Sequence, residues 1–258
     1  MYATTEITSP ELTSDNPIHQ RLLMPYHQVA GLLSGHLLEV GVGVGRGLEI
    51  LSQHCTHYTG LDKNQPLIRQ LQQSHPQHRF LAQNIPPFAG LESNAFDFVV
   101  SFQVIEHIQE DEAFVKEIHR VLKPGGQVIL TTPNRKRSLS RNPWHVREYF
   151  AGELIALLRK YFPVVKPQGI SGSEKVEHYL AANRASVQKI MRWDVFNLQY
   201  RLPRWALQIP YEVLNRLNRN RLQQSDDQLV REIDHTDYTL SEDLDNCLDF
   251  YFIAQKAS

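Results

Sequence analysis

Residues 36–51 read HLLEVGVGVGRGLEIL, and the segment HYTGLD, ending at Asp62, closes 21 residues after Gly41. Leu37, Leu38 and Val40 form the short apolar run of a buried parallel strand, glycines follow at 41, 43, 45 and 47, and helical spacing resumes at Leu48 and Leu51. The stretch reads strand, glycine loop, helix. Glycine lets the backbone pass close to a ligand, and the helix behind it offers unpaired N–H groups and a positive dipole end. A second apolar run, 58–61, stops at Asp62, which predicts its carboxylate at the carboxyl end of the neighbouring parallel strand, where nucleotide-type folds grip a ribose diol. Asp62 also suits a helix N-cap, since Asn64-Gln65-Pro66 opens a helix, and the two roles are compatible.

The glycine spacing separates ligand classes. A dinucleotide fingerprint counted from Gly41 requires glycine at 46, where Arg46 stands, and counting from Gly43 ends on Leu48. The pattern is instead E-x-G-x-G-x-G with Glu39 at its head, and a carboxylate there repels a pyrophosphate but suits a cation. Further motifs follow in order: Gln83-Asn84-Ile85-Pro86-Pro87-Phe88, then Phe96-Asp97-Phe98-Val99-Val100-Ser101, then Gln103-Val104-Ile105-Glu106-His107-Ile108, then Arg120-Val121-Leu122-Lys123-Pro124-Gly125-Gly126. Together they resemble the class I S-adenosylmethionine-dependent methyltransferases over residues 36–165 plus a final strand, in particular the small-molecule, ubiquinone-biosynthesis type. The resemblance implies S-adenosylmethionine as cofactor, held by Glu39, Gly41, Gly43, Gly45, Asp62, Lys63, Asn84, Ile85 and Gln103.

Composition fits a soluble domain. The chain has 258 residues, 41% hydrophobic, and a net charge of −1 that recruits no nucleic acid. Its two cysteines, Cys55 and Cys247, form no C-x-x-C pair, so neither a zinc site nor a disulfide framework is indicated and no metal is expected. The start, MYATTEITSPEL, has no basic-then-apolar leader and no run approaches a membrane span, so a cytoplasmic location is expected.

Along the chain, residues 1–15 are polar and read as mobile, and 17–33 carries helical periodicity. Strands near 36–41, 57–62, 78–83, 96–102 and 126–132 alternate with helices near 46–54, 64–75 and 110–122, the last stopped by Pro124-Gly125-Gly126. A helix over 152–161 and a strand over 163–169 follow. This alternation predicts an α/β fold, a doubly wound and mostly parallel Rossmann-like sheet; the resemblance makes it seven-stranded, closed by an antiparallel strand at 248–254. The expected organisation is an N-terminal segment and helix (1–35), a cofactor-binding core (36–171), a helical insertion serving as acceptor lid (172–246) and the last core strand (247–258).

The insertion is polarised in charge. Residues 184–221 hold eight Lys or Arg against Asp194 and Glu212, with Trp193, Phe196, Tyr200, Trp205 and Tyr211 interleaved, whereas 222–246 hold eight acidic residues and only Arg231. Such a basic, aromatic segment docks on a membrane surface, binds an anionic substrate, or packs on the parent sheet with its charges solvated. The order of the family's elements places residues 172–223 over the carboxyl edge of the sheet. There Trp193, Tyr200 and Trp205 would wall the acceptor pocket, and Arg201 and Arg204 would meet an anionic group.

The implied chemistry is methyl transfer to a small-molecule, sugar or lipid-linked acceptor, at oxygen. Two histidines are candidate bases: His107, at the carboxyl edge after the fourth strand, and His145, in Asn142-Pro143-Trp144-His145, where the family commonly contacts the acceptor. Alignment without a base is the other route. Two alternatives stand beside this reading. One is a metal-assisted RNA 2′-O-methyltransferase, because Gln103-x-x-Glu106-His107 resembles that E-x-x-E-H ligand motif with Gln in the first place; the other is a catalytically silent cofactor-binding scaffold.

Overall fold

The computed structural model describes Thr8, residues 11–192, Asp194 and residues 197–258. Eight strands form one sheet: β1 (His36–Val40), β2 (His57–Asp62), β3 (Arg79–Ala82), β4 (Phe96–Phe102), β5 (Leu122–Pro133), β6 (Val164–Gly172), β7 (Tyr238–Ser241) and β8 (Asp249–Gln255). Their order is β3-β2-β1-β4-β5-β8-β6-β7. The five strands from β3 to β5 pair in parallel, and β8 lies antiparallel to both β5 and β6. Strand order reverses between β1 and β4, which opens a crevice at their carboxyl ends.

The strands are apolar on both faces because helices cover both. Leu38, Val40 and Val99 pack on one side with α4 (Asp111–Val121) and α5 (Ala151–Arg159), through Phe114, Ile118, Leu154 and Leu158. Leu37 and Val100, one position along each strand, face the other side. There they meet α1 (Asn16–Ala30), α2 (Leu48–Ser52) and α3 (Gln65–Ser74). This period-two alternation gives each strand two buried faces.

Five expectations are corrected. The sheet has eight strands, not seven, because the β-prone segment Tyr238–Ser241 inside the insertion pairs antiparallel with the free edge of β6. That insertion is therefore not wholly helical: besides β7 it holds α6 (Glu174–Met191), α7 (Leu198–Arg201), α8 (Arg204–Ser225) and α9 (Asp227–Glu232). Helix α2 begins only at Leu48, since the glycine loop occupies 42–47 with turns. Pro124-Gly125-Gly126 lies within β5, whose pairing jumps from Phe96↔Leu122 to Phe98↔Gln127; Gly125, at φ +76, accommodates the extra residues as a bulge. At the N-terminus, described residues expected to be mobile are packed: Asp15 is fully buried and pairs with Arg216 at 2.7 Å and Arg219 at 3.0 Å.

Candidate functional site

A cavity of about 860 Å³ occupies the crevice beyond β1 and β4. Gly41, Gly43, Asp62, Lys63, Asn84, Ile85 and Gln103 line it; Glu39 and Gly45 do not. The loop is pinned to β2, because the Gly41 and Val42 N–H groups both donate to the Leu61 carbonyl, at 2.7 and 3.2 Å. Gly41 has φ +87, and a Cβ there would stand 2.3 Å from Val104, so glycine is required twice over. A Cβ on Gly43 would meet no atom closer than 4.0 Å, which leaves the floor of the cavity open to a ligand. Asp62 is held by two backbone donors, Gly43 N–H to Oδ2 at 2.9 Å and Asn64 N–H to Oδ1 at 2.8 Å. The N-cap of α3 is Asn64, whose side chain accepts from the Leu67 N–H, so Asp62 ties the loop to the strand instead of capping the helix.

Glu39 lies beneath this loop, 2% exposed. It accepts from the Tyr26 hydroxyl at 2.9 Å and from the Tyr58 hydroxyl. Burial pushes its carboxyl up to about 7, against the opposing pull of the two tyrosines and Arg46. Tyr26 reaches it by crossing Gly47, where a Cβ would come within 1.9 Å of the ring. Sequence reasoning gave neither tyrosine a role. A signal existed for Tyr58, because Glu39 pairs with Gly60 and a diagonal neighbour two residues away on β2 shares its face. Helix α1 was also missed as a wall: Ile18, Leu22 and Tyr26 line the cavity together with Arg21, which holds buried Asp249 through two bonds of 2.6 Å.

The second wall follows β4 and β5. Gln103 sits at φ +57, unusual for a residue with a side chain, and its Nε2 donates to Thr131 Oγ1 at 3.3 Å. Glu106 is buried and accepts from the Thr132 hydroxyl at 2.9 Å. Burial raises its carboxyl above the usual range, opposed by the charges of His107 and His145. The two histidines, 38 positions apart, meet edge to face with ring centres 5.0 Å apart. His107 Nδ1 lies 3.1 Å from the Trp144 carbonyl, which can only accept, so that nitrogen carries the proton. His145 Nδ1 lies 2.8 Å from Glu148 Oε1, and its Nε2 lies 2.8 Å from the Asn142 amide nitrogen. In both rings Nε2 is thus the basic nitrogen. Glu106, His107 and His145 also bring ligand atoms within 4.8 Å of one another, the one such His/Cys/Asp/Glu group among the described residues. Cys55 and Cys247 are both free thiols, each pushed up to about 11 by burial.

Helices α6 and α8 form the far wall through Tyr179, Asn183, Arg184, Tyr211, Asn215 and Asn218. Of the aromatic and basic residues expected there, the four that are described lie elsewhere. Trp205 and Tyr200 point outward, 75% and 65% exposed, Arg204 donates to the Val146 carbonyl at 3.0 Å, and Arg201 is exposed. Trp193 and Phe196 lie outside the described residues. The segment is tied to the loop 134–149 by the Trp144 indole N–H, which donates to Glu212 at 2.9 Å, and by Arg141, which donates to the Gln199 carbonyl at 2.9 Å.

Residues 38–130 match a family described as methyltransferase domain. The chain is similar to a "Probable S-adenosylmethionine-dependent methyltransferase" of Mycolicibacterium smegmatis, 35% identical over 165 residues, covering 60% of this chain and 62% of that protein. It is also similar to the ubiquinone biosynthesis O-methyltransferase of Coxiella burnetii, 27% identical over 124 residues, 46% of this chain and 51% of that one. It therefore spans less than two thirds of the length of these curated relatives. Among solved structures, a Thermotoga maritima S-adenosylmethionine-dependent methyltransferase described as a possible histamine N-methyltransferase superposes with a TM-score of 0.57 at 17% identity, over 93% of this chain and 91% of that one. Phosphoethanolamine N-methyltransferase 2 of Haemonchus contortus, solved with S-adenosylmethionine, gives 0.53 at 16% identity over 87% and 49%. At these identities the two structures speak for the fold.

Proposed function

We propose, from the premise that residues 38–130 are a class I S-adenosylmethionine-dependent methyltransferase domain, that this chain methylates an oxygen of a small-molecule, sugar or lipid-linked acceptor bound in the 860 Å³ cavity. The observation that carries it is the meeting of two element sets in one cavity. The glycine loop with Asp62 forms one side, and the His107–His145 pair forms the other.

The residues present fit the cofactor. Gly43 leaves its floor clear, and Asp62 is oriented by backbone donors that occupy one lone pair on each oxygen, so each oxygen keeps acceptor capacity for a ribose hydroxyl. Lys63, Asn84 and Ile85 complete that side. When bound, S-adenosylmethionine supplies an electrophilic methyl group on a leaving group already activated by its positive charge. The chain's own task is then to align the acceptor, exclude water and accept one proton. His145 suits the last step, since Glu148 holds Nδ1–H and would stabilise the imidazolium that forms when Nε2 takes the acceptor's proton, with Asn142 swinging aside. His107, fixed by the Trp144 carbonyl, is the second such nitrogen. The Coxiella relative's name, an O-methyltransferase, agrees with oxygen as the acceptor atom.

The test is incubation of the chain with S-adenosylmethionine and a panel of phenols, sugars and lipid-linked glycans, read by mass spectrometry for methylated product and S-adenosylhomocysteine. Methyl gain on an oxygen supports the reading. Tight binding of S-adenosylhomocysteine with no turnover across the panel favours the silent scaffold, and transfer only to nitrogen or carbon replaces the acceptor atom.

A further inference from the structure

Helix α8 has two faces of opposite character, and their arrangement reverses the usual one. Tyr211, Asn215, Asn218 and Arg219, on the inward face, line the cavity. On the outward face Trp205, Ile209, Val213 and Leu217 recur every fourth residue, 75%, 75%, 52% and 60% exposed. At 3.6 residues per turn this spacing drifts by about 40° a step, so the four sweep an arc of roughly 120° along about 18 Å of helix. Pro210 and Leu214 widen the same arc, and both are exposed. Isolated apolar side chains on a surface need no explanation, but a continuous strip of this length marks an interaction surface.

Charge selects the partner. Exposed Arg201 stands before the strip and exposed Arg221 follows Leu217 by four residues. The two acidic residues of the same segment are turned to internal bonds: Asp194 accepts the Leu198 N–H at 2.6 Å, and Glu212 accepts the Trp144 indole N–H. An apolar strip bracketed by arginines that pair with no acidic group among the described residues complements a surface that is apolar below and negative above. We propose that the outward face of α8 lies on an anionic lipid bilayer, with Trp205, Ile209, Val213 and Leu217 in the headgroup boundary and Arg201 and Arg221 on phosphate groups. Among the described residues no helix is long and apolar enough to cross a membrane, so the contact is peripheral. This proposal stands on the helix surface alone and is independent of the reaction proposed above.

The full chain is tested by co-sedimentation at low salt with vesicles of phosphatidylcholine and with vesicles of phosphatidylcholine and phosphatidylglycerol. Preferential binding to the second is expected. Arg201→Gln with Arg221→Gln should lower it by about 30-fold, roughly fivefold for each basic residue near an anionic surface. Ile209→Asp with Val213→Asp should lower it by more than about 100-fold, by removing two buried aliphatic side chains. Both pairs are exposed, so circular dichroism and melting should match the parent, and the arginine pair keeps the test valid if the aspartate pair folds poorly. Absence of vesicle binding, equal binding to both compositions, or binding unchanged in the folded variants overturns the proposal. So does a dimer in sedimentation velocity that Ile209→Asp with Val213→Asp disperses, since the strip would then meet a second copy of the chain.

Discussion

Replacing Glu39 by glutamine should remove a fall in stability that the native protein suffers between pH 5 and pH 8. Burial beneath the glycine loop raises this carboxyl from 4.5 to about 7, although Tyr26 and Tyr58 both donate to it. The native state therefore holds a proton that the unfolded chain gives up at lower pH. Below about 4.5 both states are protonated and Glu39 costs nothing. As pH rises from there to about 7 the unfolded chain ionises first, so stability falls; above 7 the native carboxyl ionises too and the penalty stays constant. The shift is worth about 3 kcal/mol at its full extent, of which about 2–3 kcal/mol falls between pH 5 and 8. Glutamine is neutral throughout; its carbonyl oxygen accepts from one tyrosine and its amide N–H donates to the hydroxyl oxygen of the other. Urea unfolding of both proteins at pH 5 and pH 8 isolates the difference, because every other titrating group cancels. The parent should lose about 2–3 kcal/mol more than Glu39→Gln across that interval. Parallel profiles within about 0.5 kcal/mol, or a parent that gains stability relative to the variant as pH rises, would refute the argument that burial outweighs the two hydrogen bonds.

Asp62→Ala should weaken S-adenosylmethionine by about 1.5–3 kcal/mol in calorimetric titration, the range for hydrogen bonds to a charged group, and unchanged affinity rejects the ribose assignment. His145→Ala or His107→Ala should lower turnover by about 100-fold with cofactor affinity unchanged, and Glu148→Gln should reproduce part of the His145 loss; full turnover in both histidine variants means alignment alone drives transfer. Gly47→Ala forces a Cβ to within 1.9 Å of the Tyr26 ring and should cost about 1–3 kcal/mol in thermal unfolding, and an unchanged melting point removes Tyr26 from its place over Glu39. Asp249→Ala leaves Arg21 without its buried partner and should cost about 3–5 kcal/mol, so a loss below 1 kcal/mol means solvent reaches the pair.

The core of the fold was legible because its signals are local. Apolar runs bounded by glycine, and the 21-residue step from Gly41 to Asp62, set β1, β2 and the crevice without any long-range information. Glu39 was legible as a carboxylate at the head of the glycine loop but not as a buried one, because its donors come from α1 and from a diagonal position on β2. His107 and His145 were each named from their own motif. Their meeting at 5.0 Å depends on the loop 134–149 folding back, so that Val146 N–H donates to the Glu106 carbonyl at 2.7 Å. β7 was hidden because a four-residue strand at a sheet edge needs only the register of β6.

The residues of the insertion were misassigned for a physical reason that α8 displays. The ordinary rule turns apolar residues inward, and it sends Trp205 and Tyr200 into the pocket. That rule holds where the inside is a dry core. The inside of α8 is a cavity wall rather than a packed core, and the residues facing it include an amide pair, Asn218 to Asn183 at 2.7 Å, and a guanidinium held by Asp15. Amides and guanidinium groups keep hydrogen-bonding capacity at a wet wall, which aliphatic side chains cannot. With the inward face given to polar groups, the apolar residues of the same helix are left on the outward face. Periodicity alone finds both stripes; only the position of the cavity decides which of them is inside.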